Sequence, residues 1–112
     1  MRVSPSFKSF VLDQLDGLGG VTARPMFGGV GLYRNGVFFG IIARDVLYLK
    51  VDPITRGDYE RAGAAAFKPY LDRPGTMQYY AVPLDVLESA FELTAWAQKA
   101  VDAAERGKRS IR

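Results

Sequence analysis

The side chains that most often carry catalysis are missing from this sequence. Its 112 residues include no histidine and no cysteine. That removes the commonest general base, the commonest transition-metal ligands and the usual catalytic triads. Serines stand at positions 4, 6, 9, 89 and 110. None has a base at a fixed spacing, and Ser4 and Ser89 read as helix caps. The 12 acidic residues could ligate magnesium or form an acid/base pair, but they are scattered. Asp52 and Asp85 precede or enter helices, and Asp58, Glu60, Glu92, Asp102 and Glu105 fall on solvent-facing positions. The expectation is no catalytic residue, no metal site and no cofactor, and therefore not an enzyme.

One stretch still invites a ligand: RPMFGGVGLYRNGVFFGII, residues 24–42. Gly29-Val30-Gly31 opens like G-x-G-x-x-G, but Arg34 occupies the third glycine position and a hairpin turn follows rather than a helix. A phosphate cradle of that type needs a helix N-terminus aiming free amides at the anion, so the reading fails. The glycines have structural uses instead. Gly28-Gly29 suits a bulge or sharp bend, and Asn35-Gly36 is a strong hairpin signal because both central residues of a type I′ turn take positive φ. Gly31 opposite Gly40 would leave a flat place that a helix could approach.

The elements that position these residues follow from period and punctuation. Ser4-Pro5 starts a helix running to about Asp16, with Phe7, Phe10, Val11, Leu15 and Leu18 on one face and Gly17, Gly19 and Gly20 closing it. The Asn35-Gly36 turn pairs Arg34 with Val37, Tyr33 with Phe38, Leu32 with Phe39, Gly31 with Gly40 and Val30 with Ile41. A second turn at Arg44-Asp45 adds a third strand over 46–51. One face then carries Gly31, Tyr33, Phe38, Gly40, Ile42, Leu47, Leu49 and Val51 without a charge. Asp52-Pro53 opens a short helix that Gly63 ends, with Gly57 inside it. Strands over 67–70 and 77–82 flank an Arg73-Pro74-Gly75 turn. The capping box Ser89-Ala90-Phe91-Glu92 starts a closing helix with Leu93, Trp96, Ala97, Ala100, Val101 and Ala104 as its apolar stripe, up to Gly107. The order α-β(3)-α-β(2)-α predicts an α+β fold of two layers on an antiparallel sheet.

Composition bounds the rest. With 48% hydrophobic and 24% charged residues, the chain reads as one ordinary globular domain over 1–105 and a basic tail over 106–112. The tail holds Arg106, Lys108, Arg109 and Arg112, so the net charge of +3 comes from the last seven residues rather than the body. No apolar run approaches the roughly 20 residues of a membrane span, and no signal-peptide pattern opens the chain. The expected location is cytoplasmic, with no membrane partner.

The blocks R-x-MFGG-x-GLY and LYLKVD, the central Y..PGTMQYYAVP and the closing helix around Trp96 resemble the N-terminal domain of the TfoX/Sxy family of bacterial competence regulators. The likeness covers nearly the whole chain. It implies a secretion-chaperone-like fold of the same element order, and a role in transcriptional regulation of DNA-uptake genes together with the cyclic-AMP receptor protein. It brings no catalytic residues. Full-length regulators of that family carry a second, C-terminal domain resembling a helix-hairpin-helix module. This sequence corresponds to the single-domain form, to which the regulatory activity does not automatically transfer.

Two functions follow as expectations. The first is a noncatalytic regulatory or protein-interaction domain. Its interaction surface would be the second sheet face, with Val30, Leu32, Arg34, Phe39, Ile41, Tyr48 and Lys50 as candidates. The partner would be a protein of the transcription machinery or a second copy in a homodimer. Equally, the stretch 64–76 or the closing helix could fold over that face. The alternative is a small DNA-binding protein using Arg24, Arg34, Arg44 and the tail residues Arg106, Lys108, Arg109 and Arg112, for which nucleic acid binding would weaken steeply with salt.

Overall fold

The computed structural model describes residues 2–26, 28–69 and 78–110, with Arg109 and Ser110 described by backbone alone. Helix α1 spans Pro5–Gln14, and the Ser4 hydroxyl caps it by accepting the Phe7 N–H at 3.2 Å. A 3-10 turn over Asp16–Leu18 follows, and Gly19 and Gly20, at φ of 75° and 71°, turn the chain into the sheet. Strands β1 (Val21–Met26), β2 (Gly29–Arg34), β3 (Val37–Ala43), β4 (Val46–Lys50) and β5 (Tyr79–Ala81) form one antiparallel sheet in sequence order. Between β4 and β5 lies α2 (Arg56–Arg61); α3 (Leu84–Leu87) and the long α4 (Ala90–Ser110) close the chain. The α+β, two-layer reading holds. No helix among the described residues is long and apolar enough to cross a membrane.

The expected hairpin forms, with Asn35 and Gly36 at φ of 49° and 84°. Its register is as read for Arg34 with Val37 and Tyr33 with Phe38, and then shifts: Leu32 pairs with Gly40, Gly31 with Ile41 and Val30 with Ile42. A bulge places Phe39 as an extra residue on β3, so Gly31 does not face Gly40. Because side chains alternate along a strand, one inserted residue exchanges the faces beyond it. Val30, Leu32 and Phe39 therefore point with Ile42, Leu47, Leu49 and Val51 into the helix-side core, against Val11 and Leu15 of α1 and Leu93, Ala97, Ala100 and Val101 of α4. Ile41, Ala43 and Tyr48 lie in a second cluster with Phe67 and Tyr79.

Two further differences come from local chemistry. Residues 21–26 are a strand, although they contain Pro25 and alternate only weakly; as the edge strand, β1 tolerates a residue without an N–H. The 27–28 connection of the β1–β2 hairpin includes Gly28 at φ 77°, so this glycine makes a turn rather than a bend within one strand. The expected strand at 67–70 shrinks to a bridge between Ala66 and Tyr80, tightened by Phe67 N–H donating to Tyr79 O at 2.7 Å. The expected Arg73-Pro74-Gly75 turn, Tyr70 and Met77 lie outside the described residues. Phe10, placed on the core face of α1 by spacing, is 39% exposed. It sits at the margin of the stripe centred on Val11 and Leu15.

Candidate interaction site

The seven residues expected to form one interaction surface do not share a face. Leu32 and Phe39 are fully buried under the helices, as is nearly all of Val30. Ile41 and Tyr48 occupy the opposite face, where the Phe67 ring lies 4.9 Å from that of Tyr48. The covering stretch anticipated around 64–76 thus supplies Phe67 over this face. Arg34 is committed internally: Nε donates to Gly19 O, Nη2 to Leu18 O and Nη1 to Gln98 Oε1, at 3.3 to 3.4 Å. It ties the 3-10 turn to α4. Lys50 sets its ammonium 5.3 Å over the Tyr79 ring.

The arginines of the nucleic-acid reading are engaged one by one. Arg24 lies over Tyr33, Arg44 Nη2 donates to Lys68 O, and Arg106 Nε donates to Asp52 Oδ2 at 2.7 Å. The first five residues of the expected basic tail continue helix α4, which runs through 110. Lys108 is exposed; the side chain of Arg109, and Arg112 altogether, lie outside the described residues.

A different surface stands out. The end of α1, the turn after it and the first half of α4 enclose a groove of about 650 Å³ lined by Asp13, Gln14, Asp16, Gly17, Ala90, Phe91, Thr94, Ala95 and Gln98. Its geometry is built from ordinary capping and packing. Ser89 Oγ accepts the Glu92 N–H at 3.2 Å and fixes where α4 begins. Gln14 Nε2 donates to Leu87 O at 3.0 Å, holding α1 against the α3–α4 corner. A Cβ at Gly17 would contact the Thr94 side chain at 3.5 Å, so the turn lies close against α4. Phe91, 86% exposed, projects from the first turn of α4, and Leu84 of neighbouring α3 is 67% exposed. The lining charges are Asp13 and Asp16, with Glu88 and Glu92 flanking Phe91 in the chain.

The sequence carried a signal for this groove. Phe91, Thr94, Ala95 and Gln98 follow i, i+3, i+4, i+7 spacing, a second face of α4 beside the stripe of Leu93, Trp96, Ala97 and Ala100. It was legible as a helical stripe, but one aromatic among small and polar residues did not mark it as a surface.

A family model described as the TfoX N-terminal domain matches residues 13–104. The chain belongs to that family. No curated protein matches it. Among the described residues, the match spans every strand of this TfoX N-terminal domain and the whole groove, while the last helical residues lie beyond it.

The domain also has a charged node where α2 meets α4. Asp52 accepts the N–H groups of Ile54 and Thr55 at 3.0 and 3.1 Å as well as the Arg106 guanidinium. The hydrogen bond from Arg106 is the main reason its carboxyl is held below the usual range, with the two backbone N–H groups adding to it against the opposing effect of burial. Asp58 pairs with Arg61, and its other oxygen lies 3.5 Å from Lys99 Nζ. These acids are therefore spent on cations and backbone donors. Among the described residues, no group of three or more histidines, cysteines or carboxylates is placed to hold a metal. Burial raises the Tyr59 and Tyr79 phenols well above their ordinary value, with Asp58 adding to the first and Tyr33 to the second.

Proposed function

We propose that this TfoX N-terminal domain is a noncatalytic regulatory module that acts by docking a protein partner in the α1–α4 groove. The observation that carries the reading is Phe91, a large apolar side chain left 86% exposed beside a groove of about 650 Å³. Isolated exposed apolar residues need no explanation, but an exposed aromatic at the edge of a groove is a usual form of interface anchor. Asp13, Asp16, Glu88 and Glu92 favour a partner segment with basic residues around an apolar centre. An amphipathic helix laid in the groove meets both demands. In the setting that the family resemblance implies, such a partner belongs to the transcription machinery.

Burying an exposed phenylalanine contributes about 1.5 to 3 kcal/mol. Phe91→Ala should therefore weaken the complex by roughly 10- to 100-fold. The test is affinity capture from native cell extract, quantified for wild type, Phe91→Asp and Ile54→Asp. Ile54 is also strongly exposed but lines the charged node instead, so it controls for the loss of any surface apolar group. Proteins held by wild type and Ile54→Asp but lost from Phe91→Asp support the reading. Equal capture by all three variants would place the contact elsewhere.

A further inference from the structure

The sheet face opposite the helices carries a row of rings with a cation at each end. The Arg24 guanidinium lies 5.4 Å over Tyr33, and Tyr33 stands 5.2 Å from Phe38. Phe38 stands 5.4 Å from Tyr79, and the Lys50 ammonium lies 5.3 Å over Tyr79. Where this row meets the end of α4, a hollow of about 260 Å³ opens. Val37, Phe38, Tyr79 and Ala104 form its apolar walls; Lys50, Lys108 and Gly107 complete the lining. Neither lysine is in an ion pair among the described residues.

Gly107 is the telling residue. Glycine inside a helix costs about 1 kcal/mol relative to alanine. The backbone does not ask for it, because its φ is not among the positive ones. Among the described residues, packing does not ask for it either, since a Cβ built there meets none of their atoms within 4 Å. Its consequence is space: any side chain at 107 would extend into or beside the hollow.

We propose that this hollow binds a small organic phosphate carrying one flat apolar body. A phosphate monoester bears about −1.5 to −2 charges at neutral pH, which two ammonium groups balance. Lysine serves phosphate as a point charge, and it is the dianion's second charge that gives both ammonium groups something to balance. The ring walls supply apolar contact for the flat body, and the volume, below the roughly 300 Å³ at which drug-sized ligand sites begin, limits the ligand to one ring. The site is independent of the groove: the groove uses α4 residues 90–98 and the hollow uses 104–108. Gly107 and Lys108 lie beyond the residues that match the family model.

The experiment is a titration of the full chain with phenyl phosphate, read by amide chemical shifts, beside separate titrations with inorganic phosphate and phenol. Shifts should centre on residues 37, 38, 50, 79 and 104–108, and phenyl phosphate should bind at least tenfold tighter than either fragment. Gly107→Leu should weaken binding at least tenfold while its melting temperature is equal to or above that of wild type. Lys50→Gln should weaken it about fivefold. The proposal is overturned if phenyl phosphate binds no better than inorganic phosphate, if shifts spread evenly over the other lysines, or if folded Gly107→Leu and Lys50→Gln bind as wild type does.

Discussion

Replacing Gly29 by alanine tests the register that decides which side chains face the helices. Gly29 begins β2 close against the backbone of β3: a Cβ built there falls inside contact distance of the Ile42 carbonyl oxygen and 3.5 Å from the Ala43 Cα. Both neighbours are backbone, so neither can rotate aside, and β2 must move away from β3. Overpacking of this kind costs about 1 to 3 kcal/mol. Gly31→Ala is the matched control, because its Cβ would meet Met26 Sδ, Phe38 Cε1 and Tyr33 Cε1 at 3.3 to 3.4 Å, all of them side-chain atoms that can give way. The two substitutions change the unfolded chain alike, stabilising by about 0.4 to 1 kcal/mol through lost backbone freedom. Their difference therefore reports on the folded state. We expect Gly31→Ala to stay within about 1 kcal/mol of wild type and Gly29→Ala to lie roughly 2 kcal/mol below Gly31→Ala. For a chain of this length that is a gap of about 8 °C in melting temperature. Urea unfolding followed by far-ultraviolet circular dichroism measures it, with an unchanged m-value confirming that the same surface unfolds. If Gly29→Ala is as stable as Gly31→Ala, β2 does not pass that close to Ile42, and the bulged register with its assignment of faces is wrong.

Other consequences can be checked with equal directness. Arg44 and Asp45 both hold left-handed backbone, at φ of 51° and 54°, so Arg44→Gly should raise stability by about 0.5 to 1 kcal/mol in urea unfolding despite losing the weak bond to Lys68 O. Asp52, its carboxyl held down chiefly by the hydrogen bond from Arg106, contributes stability that is present above its unfolded value near about pH 4 and lost as pH falls through the lower folded value. Thermal melts from pH 7 to pH 2 should therefore show a shallower acid decline for Asp52→Asn than for wild type; equal slopes would mean the Arg106 pair does not form. Phe91→Ala should change the melting temperature by less than about 2 °C, since the side chain is exposed; a larger loss would show that Phe91 packs against the fold and offers no surface to a partner.

The fold class was readable because its signals are local. Ser4-Pro5, Asn35-Gly36 and the Ser89 capping box each act within a few residues, and each sits where spacing and turn chemistry place it. What escaped depends on neighbours distant in the chain. A bulge at Phe39 leaves the alternation of apolar residues on both sides intact, because β3 is apolar on both faces, so no period betrays the extra residue. β1 is a strand by virtue of its pairing with β2 and its edge position, not by its own composition. Phe67 found its use only against Tyr48, which lies on a different element.

The misplaced interaction surface has the same origin. One unbroken alternation through the whole meander puts the candidates from Val30 to Lys50 on a single face, and a single inserted residue divides them between the helix-side core and the Phe67 face. Both proposed sites are built in part by α4. Its stripe of Leu93, Ala97, Ala100 and Val101 is fully used on the sheet, which leaves its other faces to be judged by what they expose. At its first turns that is Phe91 over an acidic groove, and at its last turns it is a glycine and a lysine beside aromatic rings. Both proposed sites therefore draw on the closing helix, the groove on its residues 90–98 and the hollow on 104–108.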